Sequence, residues 1–138
     1  MRQSRMTSEG LLFQPNTSGK SYLCIKYHRD GSSGKSQWQI REIEEHSIFC
    51  WADEGNWCDV RGHYWGTHDK GRTELGVKGE RICIFPCPSN PTDVWHGYPI
   101  SHSLGGSMTK DLIDVVQRFI DAQVIDKTLG RNIQRGKI

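Results

Sequence analysis

Two stretches of this 138-residue chain carry side chains able to do chemistry. The first holds Asp93, Trp95, His96, Tyr98 and His102. An imidazole titrates near neutral pH and serves as general acid or base, and a neighbouring carboxylate can orient it. Trp95 and Tyr98 could wall a base, a sugar or a peptide side chain. The second stretch holds His63, Tyr64, Trp65, His68, Asp69, Lys70 and Arg72. Cations interleaved with aromatics are what phosphate attraction combined with base stacking requires. If the two stretches converge, His96 pairs with His63 or His68 as acid and base. Lys70 or Arg72 would then stabilise a developing phosphorane, which meets the needs of metal-independent RNA cleavage. The opposing reading makes Trp95 and Tyr98 core plugs, with His96 bonded to a loop carbonyl and residues 61–72 a solvated loop.

Five cysteines, Cys24, Cys50, Cys58, Cys83 and Cys87, form an odd set that suits a reducing compartment. Cys83 and Cys87 have the short spacing of a zinc pair, whereas Cys50 and Cys58 would need a hairpin to meet. Cys83 lies between Ile82 and Ile84, where a thiol packs as a small apolar group, so buried thiols are expected and no metal or cofactor is assigned. A zinc-stabilised adaptor stands as a third reading. Cys87 attacking with His96 as base has no supporting local signature. Gly34-Lys35-Ser36 resembles the end of a phosphate-binding loop, but Arg29 occupies the position where that loop needs its first glycine.

The elements that must position these groups follow from periodicity and punctuation. Pro86, Pro88, Pro91 and Pro99 are four of the five prolines, and their fixed φ and missing N–H make residues 85–101 a stiff loop. Alternating β-branched and aromatic residues predict strands over 22–29 and 37–43, a glycine-bearing connection at 52–56 predicts a hairpin of strands 47–51 and 57–60, and a nearly continuous apolar run predicts a strand over 81–85. Within 37–46 a helical spacing of Ile40, Ile43 and Ser47 competes with the alternation of Trp38, Ile40 and Glu42, and strand is the reading adopted. Met108, Leu112, Val115, Val116, Phe119 and Ile120 recur at three and four, predicting a helix over 108–123, and Asp126 caps a second over 126–135. The expected fold is α+β: a small, mainly antiparallel sheet with two C-terminal helices. Residues 1–20 read as a flexible arm whose Leu11-Leu12-Phe13 island pins to the core as an edge strand, and residues 21–138 as one domain.

The net charge is only +2, but it is unevenly placed. Up to residue 41, Arg2, Arg5, Lys20, Lys26, Arg29, Lys35 and Arg41 face only Glu9 and Asp30; residues 42–59 carry acids and no Lys or Arg. Such polarity orients a protein or nucleic-acid partner. No apolar run is long enough to span a bilayer and no apolar region follows the charged N-terminus, so a cytoplasmic protein without a membrane partner is expected. The function expected is binding of a protein or nucleic acid through the basic and aromatic loops. The alternative is a small phosphodiesterase or ribonuclease using His96 with His63 or His68.

Overall fold

The computed structural model describes residues 3–102 and 106–137. Strands β1 (Ser4–Thr7), β2 (Gly10–Phe13) and β3 (Tyr22–Ile25) form an antiparallel meander in that order. Its first turn needs glycine: Gly10 has φ +140°, and a Cβ there would run into the Cys24 carbonyl oxygen. Helix α1 (Glu42–Glu54) leads to a second antiparallel sheet, β4 (Tyr64–Gly66), β5 (Ile82–Phe85) and β6 (Tyr98–Ile100), with β5 in the middle. Helices α2 (Thr109–Asp121) and α3 (Lys127–Gln134) close the chain. The α+β class is as expected, and β5, α2 and α3 fall where they are expected: β5 on its apolar run, α2 on its three-and-four recurrence and α3 behind its Asp126 cap.

Several strand boundaries are corrected. Residues 42–54 are helical, so the strands expected at 47–51 and through the end of 37–43 do not form; Trp38 makes only an isolated bridge to Gly76. The buried face of α1 includes Glu45 and His46 beside Ile48, Phe49 and Ala52, so charged and polar residues interrupt the apolar stripe that reveals a helix. At 57–60 only Cys58 bridges to Tyr64, and the 22–29 strand stops at Ile25, where residues 26–28 tighten into a 3-10 turn. The Leu11–Phe13 island is the middle strand of its sheet, hydrogen-bonded on both sides, with Phe13 buried.

The core has two centres. Phe13, Tyr22, Phe49, Phe85 and Trp95 gather around α1, with Phe49 and Phe85 meeting edge to face at 5.3 Å. Trp65, Ile82, Ile84, Leu112, Val116 and Phe119 join the second sheet to α2, and α3 adds Ile133. Trp51 and Trp57, stacked at 5.8 Å, pack against both clusters. Burying one such aromatic is worth about 2–3 kcal/mol, so this double core holds the otherwise short strands together.

Two polar clasps cross that core. Glu45, fully buried, receives the Tyr22 hydroxyl and both Nε (3.2 Å) and Nη2 (2.7 Å) of Arg29. Asp53 accepts from Asn16 Nδ2 (2.9 Å), Ser18 Oγ, Tyr64 Oη (3.0 Å) and Lys20 (3.0 Å), tying the segment before β3 to the end of α1. No helix among the described residues is long and apolar enough to cross a membrane.

Candidate functional site

The proline loop does its positioning where the two sheets meet. After β5 the chain runs out through residues 86–93 and returns beside β3: Leu23 N donates to Trp95 O and Trp95 N to Ser21 O, both at 2.8 Å. Trp95 is thereby driven into the core at 8% exposure, and His96, the next residue, emerges half-buried at the joint. Gly97 then lets the chain pass flat against β5, since a Cβ there would strike the Phe85 ring and lie 2.6 Å from Ile84 O. Trp38 locks the turn by donating its Nε1–H to Gly97 O at 3.1 Å, while its own N–H donates to His28 O at 2.9 Å. One buried indole therefore fixes His28 and His96 relative to each other.

These two histidines border a cleft of about 360 Å³, together with Tyr27, Lys35, Ser36 and Tyr98. The rings form a ladder: His28 stacks on Tyr98 with centroids 5.3 Å apart and 18° between planes, and Tyr27 lies 4.8 Å from His28. Lys35 Nζ sits 4.9 Å from the centre of the Tyr27 ring, a cation–π contact at the open end. The loop bearing Lys35 turns through Gly31 and Gly34, both at positive φ, and is held by Gln37, which donates to Tyr27 O (2.8 Å) and accepts from Gly31 N (2.9 Å).

The electrostatics of the cleft favour neutral imidazoles. Burial pushes the pKa of His28 below its ordinary value, with the charges of His96 and Lys35 acting in the same direction against the bond to Ser36. Burial likewise lowers that of His96. His28 Nδ1 lies 2.8 Å from the Ser36 carbonyl, which can only accept, so Nδ1 carries the proton and Nε2 offers its lone pair. His96 Nδ1 is buried without a hydrogen-bond partner among the described residues. His96 also borders a second hollow of about 660 Å³, together with Asp93, Cys87 and Thr92.

The remaining residues singled out from the sequence are dispersed. His63 Nδ1 accepts from Cys87 N at 2.9 Å, which leaves its neutral ring no free lone pair. Tyr64 spends its hydroxyl on Asp53. Trp65 is fully buried and donates to Asp59 at 2.9 Å; it and Trp95 are core residues, not the stacking surfaces expected of them, because each sits beside strands whose faces must be covered. His68 is exposed, its Nδ1 2.9 Å from Thr73 Oγ1, and with Asp69 and Lys70 it borders a separate cavity beside Trp51. Arg72 pairs with Asp69 at 3.5 Å, and the His102 ring lies against Gly136. None of the cavities described is bordered by more than one of His63, His68 and His96. Among the described residues no three of His, Cys, Asp or Glu are grouped to hold a metal ion; Cys83 is buried between sheet neighbours.

Tyr27, His28 and Lys35 are not among the site residues expected from the sequence: the first two fall at the end of the strand expected over 22–29, and Lys35 in the incomplete phosphate-loop pattern. The available signal was the adjacency of Tyr27-His28 to a glycine-punctuated loop carrying a lysine. No family model, no curated protein and no solved structure matches this chain.

Proposed function

We propose that the protein binds single-stranded nucleic acid, RNA in the first instance, with one nucleotide held in the His28–His96 cleft. The observation that carries this reading is the ladder of Lys35, Tyr27, His28 and Tyr98, which is open at Tyr27, 38% exposed. A base stacks on the exposed phenol and a phosphate meets the ammonium, a combination indifferent to sequence because every base has a π face. A protein partner is less favoured: the large apolar side chains left exposed, Met6, Ile43, Val60 and Val77 besides Tyr27, sit on separate segments of the chain. The test is fluorescence anisotropy with a labelled single-stranded RNA of mixed sequence at low salt. Tyr27→Ala should weaken binding about ten-fold, from the usual worth of one base stack. Lys35→Gln should reduce the salt slope by about 0.7 for the phosphate contact it loses. Absence of binding, or binding indifferent to both changes, refutes the proposal.

A second reading has its own observation in favour: two imidazoles border one cleft, and with Nδ1 of His28 bonded to the Ser36 carbonyl its Nε2 is the ring's lone-pair nitrogen. That supports metal-independent phosphodiester cleavage with His28 as base, His96 as acid in the fraction protonated below pH 6.5, and Lys35 beside the developing charge. It replaces His63 or His68 by His28 as the partner of His96. Incubating RNA with the protein in a chelator separates the two readings. Cleavage abolished by His96→Ala and by His28→Gln but kept by His68→Ala establishes the enzyme; intact RNA leaves the binder.

A further inference from the structure

The cavity beside Trp51 is built from three separate parts of the chain. Helix α1 supplies Ile48 and Trp51, the segment after β4 supplies His68 and Lys70, and the turn between α2 and α3 supplies Gln123 and Val124. It encloses about 390 Å³, enough for a bicyclic small molecule. Its flat wall is rigid, because Trp51 stacks on Trp57 at 5.8 Å and lies 6.0 Å from Phe119.

The backbone around it is held in an unfavourable conformation. Among the described residues four non-glycines have positive φ, and three of them, Asp69 (51°), Lys70 (57°) and Gln123 (59°), border this one cavity. Side chains disfavour the left-handed region, and such residues persist only where surrounding contacts impose them. Here the contacts are explicit: Asp126 N donates to Lys70 O at 2.9 Å, Gly71 N to His68 O at 3.0 Å and Arg72 N to Asp69 O at 3.0 Å. Gly71 lies so close to Ile125 that a Cβ would come within 2.6 Å of it. The fold thus clamps Lys70 to the rim of an apolar hollow by way of the α3 N-terminus.

Asp69 and Lys70 both stand at that rim. The Asp69 carboxylate is matched by Arg72, whereas Lys70 forms no ion pair among the described residues. We infer that this cavity is a binding site for a small aromatic carboxylate, its ring against Trp51, Ile48 and Val124 and its carboxylate on Lys70, with His68 and Gln123 as hydrogen-bonding neighbours. The site is separate from the nucleic-acid cleft and stands whether or not RNA binds there.

Titration of the ¹⁵N-labelled protein with 1-naphthaleneacetate, followed by amide and indole NMR shifts, tests the inference. Shifts should centre on Trp51, Lys70 and Gln123, and the uncharged 1-naphthaleneethanol should bind at least five-fold more weakly. Lys70→Gly removes the charge at a position glycine favours, so this variant keeps the fold, confirmed by its thermal transition; it should bind acid and alcohol alike. Shifts centred on Tyr27 and Tyr98, equal affinity for acid and alcohol in the unmodified protein, or unchanged affinity in Lys70→Gly would each overturn the assignment.

Discussion

Replacing Glu45 by glutamine should change how the stability of this protein depends on pH, with a sign that the structure determines. Glu45 is fully buried, and burial raises its pKa from 4.5 to about 7, outweighing the Arg29 guanidinium and the Tyr22 hydroxyl that favour the carboxylate. A carboxyl with a folded-state pKa above its unfolded value stabilises the fold fully below the unfolded value and loses that contribution as pH rises through the folded one. The separation from 4.5 to about 7, at about 1.4 kcal/mol per unit, amounts to about 3 kcal/mol. About 2 kcal/mol of it disappears between about pH 5 and about pH 7. Glutamine cannot titrate, so the stability advantage of the unmodified protein over Glu45→Gln should shrink by that amount across the interval. Urea unfolding followed by tryptophan fluorescence, with both proteins in the same buffers, measures it. A constant difference, or one that widens with pH, refutes the reasoning and means that Arg29 keeps Glu45 ionised. The outcome bears on the cleft, since Arg29 directly follows His28 and also donates to Ile40 O at 2.7 Å.

Asp53→Ala should behave in the opposite way. Burial alone would raise this carboxyl, but the bonds from Ser18, Lys20, Tyr64 and Asn16 prevail and its pKa is lowered. Its contribution is therefore present above the ordinary carboxylate range and lost as pH falls through the folded value, and the variant should lose about 2–3 kcal/mol near neutrality. Limited proteolysis should then open the segment around residues 14–20 first. Gly97→Ala should cost about 1–3 kcal/mol by forcing a methyl against Phe85, and NMR should show the His96 resonances displaced. Asp126→Ala removes the side chain that accepts from Thr128 N (3.0 Å) and Leu129 N (3.3 Å), so α3 should lose about 1 kcal/mol and exchange those amides faster. If the cleft takes a phosphate, affinity for RNA should rise as pH falls below 6.5, because His28 and His96 gain their charge only below that value. His28→Gln should blunt the rise.

What could be read from residues alone was whatever depends on neighbours in sequence. The three-and-four recurrence from Leu112 to Phe119 and the Asp126 cap are consequences of local geometry, and each is found in place; of the loop expected over residues 85–101, the last part is instead strand β6 (Tyr98–Ile100), an edge strand that pairs with β5. Helix α1 was hidden for a tertiary reason. Glu45 faces inward only because Arg29 and Tyr22 are there to receive it, and no periodicity in hydropathy can mark a buried charge whose partners lie elsewhere. A local trace existed in Glu42, Glu44 and Glu45, acids gathered where a helix dipole is positive, with Glu44 accepting from Arg41 N at 2.9 Å.

The chemistry divides along the same line. Residue types marked His96 and Tyr98 as worth watching, and a stiff loop as their carrier; these are properties of side chains and of proline rings. Which histidine meets His96 was settled when β3 drew the returning loop alongside it and Trp38 bridged His28 to Gly97, contacts between residues up to 74 positions apart in the chain. The same long-range packing turned Trp65 and Trp95 inward, because two three-stranded sheets and their helices need aromatic volume between them more than the surface does.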